Sequence, residues 1–314
     1  MTTVSDTPAQ DPSSQGDAPQ ASQAAPGGSP SAPQPSRPEV LRLADIEEKE
    51  HLAGAGNWLW KIPFRGGHAV LKGYFGNRLP LLHIKKTIGN LLLTGRTSHM
   101  PAGRCRIESE CVDVWEKAGF RCFGVYRDVV FEDLPRGQYM LFDYVPGLHF
   151  REYFADASIP MEERMAMWVR WLPEWHRRHR TAVETGEGRL IHENGDVKHV
   201  MLYEDDFVYF DFEIVFRSKD IRDLVGRELL AYMRSTGKFF GDEIYARMMD
   251  LLVEHYPDKS LLMEAYKHAH QNNNLFLRVM RGLDYKLRKQ ARKKYSKYTV
   301  ALDLERRLRE ASLT

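Results

Sequence analysis

Short apolar stretches with a strand pattern, separated by turn residues, fill much of the first half of the chain. Segments 58–64 (WLWKIPF) and 68–75 (HAVLKGYF) flank an Arg-Gly-Gly turn. Segments 125–132 (VYRDVVFE) and 138–145 (QYMLFDYV) flank a polar turn. The pattern therefore predicts a small antiparallel sheet in this part of the chain.

Helical periodicity dominates the rest of the chain. One helix is predicted over Arg104–Ala118, and a longer one over Met161–His179. The longer helix carries a continuous apolar face formed by Trp168, Trp171, Leu172, Trp175 and His179. Two short strands, HVMLY and FVYFDF, follow around an acidic turn, and the chain reads as helical from about Ile221 to its end. The order is a strand-rich part with one helix, followed by a helix-rich part that holds a small hairpin.

Composition adds a tail and excludes several classes of protein. Residues 1–38 consist mainly of Ser, Pro, Ala, Gln, Gly and Thr without an aromatic residue, so they cannot offset their ordering entropy and should be disordered. The chain length suffices for one large domain or for two lobes. The three cysteines fit neither a disulfide framework nor a zinc pattern, which favours a reducing cytosol. We find no secretory signal and no run of about eighteen apolar residues, so no membrane-spanning helix is expected.

Candidate phosphate-binding residues occur along the strand-rich part. Lys72 lies in an apolar stretch, where a lysine can project into a cleft as a point charge for phosphate. Glu108 and Glu110 lie on the following helix, where a carboxylate could pair with that lysine. A turn with Gly54 and Gly56 precedes the first strand and could let backbone N–H groups approach a phosphate. Taken singly, each is more simply a surface residue or an ordinary turn, so only their order along the chain indicates a phosphate-binding site.

The densest polar cluster is segment 192–213, HENGDVKHVMLYEDDFVYFDFE. It places His192, Asp196 and His199 at the start of a predicted hairpin and Asp211 at its end. Polar residues beside short apolar strands indicate a loop held at a cleft. A carboxylate at the end of a strand is suited to binding a metal ion. A charged surface loop is the alternative, which the coincidence of several such residues disfavours.

With these residues in this order, the sequence resembles the protein-kinase-like superfamily, and most of all the bacterial lipopolysaccharide core kinases that phosphorylate heptose or Kdo sugars. The resemblance covers roughly residues 45–250. It implies an α+β, two-lobed protein-kinase-like fold with a small antiparallel-sheet N-lobe and a mainly helical C-lobe. The N-lobe and hinge would occupy residues 39–147, the C-lobe residues 148–270, and a basic helical extension residues 271–314.

The resemblance also implies roles for individual residues. Lys72 takes the place of the phosphate-binding lysine and Glu108 that of its paired glutamate. The stretch MLFDYVPG is similar to the hinge, so backbone groups near Asp143 and Tyr144 would meet adenine. FDFE is similar to the metal-binding DFG-type motif, with Asp211 as ligand. The implied cofactors are ATP and Mg²⁺.

The catalytic loop can be matched to the family in two registers. In the register that matches the strand, His192 is the leading histidine, Asn194 occupies the base position and His199 the asparagine position. In the register that matches the HGD form of small-molecule kinases, Asp196 is the base and Met201 falls at the asparagine position. We expect a hybrid in which the strand register holds, Asp196 supplies the catalytic carboxylate, and His199 is a second metal ligand.

Two basic regions bear on the partners. Segment 278–297 contains nine basic residues and one acid, and segment 79–96 mixes apolar residues with Lys85, Lys86 and Arg96. Near an anionic leaflet each basic residue contributes about 1 kcal/mol, so we expect contact with an anionic membrane surface through 278–297. A solvated helix face is the alternative. Nucleic acid is not expected as a partner, because no recognised binding motif accompanies the charge.

The sequence thus predicts a cytoplasmic, ATP-dependent phosphotransferase acting on a sugar hydroxyl of lipopolysaccharide core or a related envelope glycolipid, with peripheral attachment to the inner face of the cytoplasmic membrane as an option. The alternative is a catalytically degenerate pseudokinase that binds or scaffolds partners at the membrane surface. Asn194 and Met201 favour that alternative. A protein serine/threonine kinase is a third option, and the lack of a recognisable APE-type segment after Asp211 counts against it.

Overall fold

The computed structural model describes residues 37–53, 56–75, 80–91, 95–271 and 293–312. Gly54, nearly all of the tail predicted at 1–38, and most of the basic segment 278–297 lie outside these ranges. What was predicted there, and the domain boundaries, stay predictions. No helix within the described ranges is long and apolar enough to cross a membrane.

A four-stranded antiparallel sheet forms the strand-rich part of the fold. A short strand, β1 (Glu39–Leu41), precedes it in the chain. The sheet begins with β2 (Glu50–Ala53), β3 (Trp58–Phe64) and β4 (Gly67–Gly73), which are hydrogen-bonded in that order. The strands predicted at 58–64 and 68–75 are therefore confirmed, whereas β2 was not foreseen.

The strand predicted over 125–132 is wrong in length and in place. Only β5 (Val129–Phe131) is a strand, and it pairs in parallel with β1, outside the main sheet. The reason is a turn at Arg127 and Asp128, where the Asp128 backbone oxygen accepts the N–H of Glu39 at 2.7 Å. The strand predicted at 138–145 is confirmed as β6 (Tyr139–Asp143), which completes the main sheet beside β4.

The predicted hairpin is part of a second sheet. It has three antiparallel strands, β7 (Leu148–His149), β8 (Val200–Tyr203) and β9 (Asp206–Tyr209). Glu204 and Asp205 form the turn between the last two strands and have φ angles of 50° and 59°. Two consecutive left-handed residues make the turn whose twist matches that of the strands it joins. The acidic turn thus sets the register that leads to Asp211.

The helix-rich part contains most of the described helices. The described α-helices are α1 (Pro80–Gly89), α2 (Pro101–Lys117), α3 (Phe150–Ala155), α4 (Met161–Thr185), α5 (Ile221–His255), α6 (Lys259–His270) and α7 (Lys297–Ala311). The two predicted helices are confirmed as α2 and α4, although α2 begins three residues early, with Pro101 in its first turn. A non-helical residue, Gly241 with φ of 77°, interrupts α5.

Aromatic side chains dominate the core of the helix-rich part. Trp168, Trp171 and Trp175 on α4 are fully buried, as their helical spacing predicts. The rings of Trp171 and Trp175 stack with their centroids 4.5 Å apart. Trp115 on α2 belongs to the same apolar cluster. This shared core holds α2, and the glutamate it carries, against the helical part.

Candidate active site

Lys72 is the centre of the candidate site. Its side chain is only 8% exposed, and it lies on β4, next to β6 in the middle of the main sheet. Its Nζ lies 2.7 Å from Oε2 of Glu108, 2.8 Å from Oε1 of Glu213 and 3.1 Å from Oδ1 of Asp211. One buried ammonium therefore contacts three carboxylates that come from distant parts of the chain.

Glu108 lies on the buried face of α2, among apolar neighbours such as Cys111 and Val112. A carboxylate in such a place must be paired, because burial of an unpartnered charge is costly. Lys72 supplies the pairing charge, and the hydroxyl of Tyr74 donates to Glu108 Oε2 at 2.6 Å. The expected pairing of Lys72 with Glu108, rather than with Glu110, is thus present in the structure.

The cluster determines the charge states of its members. Burial alone would lower the pKa of Lys72, but Glu108, Glu213 and Asp211 raise it well above its ordinary value. Burial alone would raise the pKa of Asp211, but the Lys72 ammonium holds it well below its ordinary value. Lys72 is therefore protonated and Asp211 ionised at neutral pH.

Glu213 occupies an anion-binding position. Besides Lys72, its carboxylate contacts Nη1 of Arg104 at 2.7 Å and accepts a hydrogen bond from the Asn57 side chain. Arg104 is 1% exposed and also donates to Asn57 Oδ1 at 2.7 Å. Two cations and an amide therefore converge on a single carboxylate. The same donors fit a phosphoryl group, but Glu213 would have to leave for one to bind.

Asp211 connects this cluster to the catalytic loop. Its φ of 73° is left-handed, a conformation that aspartate tolerates better than most residues. Its Oδ2 accepts from Nδ2 of Asn194 at 3.1 Å and lies 3.2 Å from Nε2 of His199. Its backbone oxygen accepts from Nε2 of His192, also at 3.2 Å. His192, Asn194 and His199, the three residues named by the strand-matched register, thus all lie against Asp211.

His199 and Asp211 together suit a cation. Nδ1 of His199 lies 2.9 Å from the backbone oxygen of Asn194, so this nitrogen must carry the proton and donate. Burial lowers the pKa of His199, which favours the neutral ring. The lone pair of Nε2 then faces the Asp211 carboxylate, and a metal ion between them would relieve this repulsion. Within the described ranges no group of three His, Cys, Asp or Glu side chains could hold a metal, so Asn194, water or phosphate would have to complete the shell.

Asp196, the sequence candidate for the base, has a local structural role. It is the N-cap of a short 3-10 turn, Val197–His199, and its Oδ1 accepts from the Lys198 N–H at 3.1 Å. The cleft beside Asp211 has a volume of about 300 Å³. Its lining includes Gly56, Asn57, Lys86, Arg104, Glu193 and Asn194. Asp196 is not among the described residues that line it.

The two hinge candidates lie apart from this cluster. The backbone N–H of Asp143 donates to the Gly124 oxygen at 2.9 Å, at the end of β6. The Tyr144 ring lies under the ammonium of Lys61, 4.4 Å from its centroid. Their contact with adenine stays a prediction. Of the two glycines proposed for the nucleotide turn, Gly56 lines the cleft and Gly54 lies outside the described ranges.

Several site residues escaped the sequence reasoning. The sequence does contain a signal for Glu213, because this residue stands where a DFG-type motif has glycine. It contains no signal for Arg104, since an arginine near the start of a helix is ordinary. Glu193 also lines the cleft, with a side chain 7% exposed and paired to Arg96. Burial raises the pKa of Glu193.

The loop between His192 and His199 is supported by α5. Oε2 of Glu228 accepts the backbone N–H of His192 at 2.8 Å, and the same carboxylate pairs with Arg178 of α4, both side chains being fully buried. Gly195 lies so close to this helix that a Cβ there would be 2.9 Å from the Tyr232 ring. The loop between His192 and His199 is therefore supported by packing and by a buried ion pair.

The order of elements and contacts now identifies the architecture. Lys72 on the sheet pairs with Glu108 on α2, and the same lysine contacts Asp211, which follows a hairpin in the helical part. This is a protein-kinase-like fold. Its small antiparallel sheet and mainly helical part agree with the α+β fold that the sequence predicts.

No protein-family model and no curated protein matches the chain. Solved structures with which it can be aligned include WaaP in complex with acyl carrier protein (TM-score 0.37, 12% identity, 85% of this chain and 90% of that chain). They also include the Mycobacterium tuberculosis PknI kinase domain (0.40, 14%, 83% and 96%). A third is a pseudokinase solved in its apo form (0.39, 14%, 87% and 98%). At such scores the function must be argued from the site itself.

Proposed function

We propose that this protein is an ATP-dependent phosphotransferase whose acceptor is a sugar hydroxyl of lipopolysaccharide core or a related envelope glycolipid. The observation that carries the proposal is the buried contact of Lys72 with both Glu108 and Asp211. Phosphoryl transfer depends mainly on positioning and charge neutralisation, and these three residues supply a phosphate-binding cation, its support and a metal-binding carboxylate.

The roles follow from the contacts. Lys72 and Arg104 would bind the phosphates once Glu213 has moved aside, and Asp211 with His199 would hold Mg²⁺. When bound, the metal ion neutralises the charge on the phosphates. Asp196 remains our proposed proton acceptor for the hydroxyl, although it caps its own turn in this conformation.

The choice of acceptor rests on the sequence resemblance and on charge. Sugars of the lipopolysaccharide core are carried on an anionic lipid, and Lys86 places a cation at the cleft. The basic segment 278–297 is proposed to hold the protein at the anionic membrane surface.

The test measures ATP turnover and nucleotide affinity with and without Mg²⁺. We expect Asp211→Asn, which keeps the shape but removes the charge, to abolish the effect of Mg²⁺ on nucleotide affinity and to lower turnover by roughly a hundredfold or more. The matched control is Asp206→Asn, because Asp206 is a half-buried acid on β9 that pairs with Arg121 and does not line the cleft. Turnover equal to that of the wild type in Asp211→Asn would overturn the proposal.

The second candidate is a pseudokinase that scaffolds partners at the membrane. Two observations favour it. The Glu213 carboxylate forms an ion pair with Lys72, and the residue beside Asp211 is Asn194 rather than an aspartate. A thermal-shift titration with ATP separates the two functions. Stabilisation that requires Mg²⁺ supports the phosphotransferase, whereas no stabilisation in either condition supports the scaffold.

A further inference from the structure

Helix α1 exposes an apolar stripe to solvent. Leu81, Ile84 and Ile88 recur at intervals of three and four residues, so they lie along one face of α1, and exposed Leu91 follows two residues after its end. Leu81 is 73% exposed and Ile88 53% exposed. Contiguous exposed apolar surface of this kind marks an interaction site more often than isolated exposed leucines do.

The opposite face of α1 is the polar one, and it is attached to the protein. His83 is 3% exposed, and its Nδ1 lies 3.3 Å from the backbone oxygen of His99. The hydroxyl of Thr87 accepts the His99 N–H at 3.0 Å, and the side chain of Asn90 donates to the Thr97 oxygen at 3.1 Å. The usual arrangement of an amphipathic helix is thus reversed, because hydrogen bonds hold α1 and its apolar side faces outward.

The stretch of sequence that contains α1 carries charge of a single sign. Between Glu50 and Glu108 the sequence contains nine Lys or Arg residues and not one Asp or Glu, although the whole chain has a net charge of only +2. Lys85 on α1 is exposed next to the stripe, and Lys86 is exposed on the side of the helix that borders the cleft. An apolar face on a helix that carries lysines and no acid is complementary to an anionic lipid surface.

The position of α1 connects this surface to the cleft. Lys86 and His99 both line the cleft that contains Asp211. The segment that follows α1 is joined to the segment after Asp211, because the N–H of Thr97 donates to the Val215 oxygen at 3.0 Å. A surface that binds α1 would therefore lie beside the mouth of the cleft.

We propose that α1 is a membrane-docking helix that lies in the plane of an anionic bilayer, with Leu81, Ile84, Ile88 and Leu91 inserted among the lipids. The choice of a bilayer as occupant rests on the proposed function, in which the acceptor is lipid-linked. Docking through α1 presents the cleft to a substrate whose sugar projects from the membrane surface.

The experiment is co-sedimentation of the full chain with vesicles of phosphatidylcholine alone or mixed with phosphatidylglycerol. We expect the protein to bind the anionic vesicles. The triple variant Leu81→Ser, Ile84→Ser, Ile88→Ser should bind them with an affinity at least about tenfold lower. The matched control replaces three exposed leucines elsewhere, Leu52, Leu148 and Leu302, by serine, and it should bind like the wild type.

A second measurement reports insertion directly. Ile88→Cys, labelled with an environment-sensitive fluorophore, should shift to the blue on anionic vesicles, whereas labelled Leu302→Cys should not. The three native cysteines are buried and so protected from the label.

Three results would overturn the proposal. The first is equal binding by the wild type and the α1 triple variant, which would assign membrane binding to the basic segment alone. The second is absence of binding by the wild type. The third is a dimer that only the α1 variant dissociates, which would make the stripe a contact between copies of this chain. None of these measurements involves nucleotide, so failure here is distinguishable from failure of the proposed phosphotransferase function.

Discussion

At the scale of single residues, Glu213 decides whether Lys72, the proposed phosphate-binding lysine, is available. A glycine at this position would leave Lys72 and Arg104 without this carboxylate. Glu213 instead contacts both cations, at 2.8 Å and 2.7 Å. The site in this conformation therefore holds its own anion, and nucleotide must compete with it.

Glu213→Gln should lower the stability of the protein and raise its affinity for nucleotide. We expect the free energy of unfolding to fall by about 1–3 kcal/mol, because the buried Arg104 loses its charged partner. Nucleotide affinity should rise, because phosphate no longer competes with a carboxylate. Urea denaturation and nucleotide titration measure the two effects, with Glu204→Gln, an exposed acid paired with Arg121, as the control. Weaker nucleotide binding in Glu213→Gln would show that this residue assists nucleotide binding.

At the scale of elements, α5 supports the catalytic loop and the helical core together. Glu228 joins α5 to Arg178 on α4 and to the backbone of His192. Gly226, two residues before Glu228, lies against the backbone of α6: a Cβ there would approach the Glu264 oxygen to 2.3 Å. Each contact leads to a prediction.

Glu228→Gln should be strongly destabilising. It leaves Arg178 charged, fully buried and without its anion, and breaking such a pair costs about 3–5 kcal/mol. Urea denaturation measures this loss in the free energy of unfolding. Glu254→Gln, on the same helix with the Glu254 side chain 69% exposed, should change stability by less than about 0.5 kcal/mol. A small effect of Glu228→Gln would mean that water or another group reaches Arg178.

Gly226→Ala should destabilise the protein although alanine is the better helix former. The new methyl group cannot avoid the α6 backbone, so α5 and α6 must separate, at a cost of about 1–3 kcal/mol. Gly103→Ala is the control, because the nearest atom to its new Cβ would be 3.4 Å away in the Ser98 side chain. That substitution should be neutral or stabilising by up to about 1 kcal/mol. Equal effects of the two substitutions would contradict close packing of the helices.

At the scale of the whole molecule, buried neutral histidines make the fold sensitive to acid. Burial lowers the pKa of His192 from 6.5 to about 3, and burial also lowers the pKa of His179 and of His199. Below pH 6.5 these histidines bind protons in the unfolded chain but stay neutral in the folded chain, so stability falls as the pH falls.

The free energy of unfolding should therefore drop between pH 6.5 and 5, by about 2 kcal/mol for His192 alone. Denaturant titrations at several pH values measure this slope. His192→Gln should flatten it, whereas His255→Gln, at a partly exposed histidine, should leave it unchanged. A slope that His192→Gln does not alter would assign the acid sensitivity to other groups.

The sequence by itself determined the features that depend on neighbours close along the chain. The strands around Lys72, the helix that carries Glu108, and the tryptophan face of α4 follow from periodicity, because each element's pattern of burial repeats locally. The order of these features, together with Asp211 after the hairpin, was sufficient for the fold class.

Only the tertiary structure decided which side chains meet. Lys72 and Asp211 are 139 residues apart, and no local pattern specifies their 3.1 Å contact. The same holds for Arg104 and Glu213, and for the turn that places Asp196 outside the lining of the cleft. Charge neutralisation in a buried cluster depends on every member at once, so it can be evaluated only when the chain is folded.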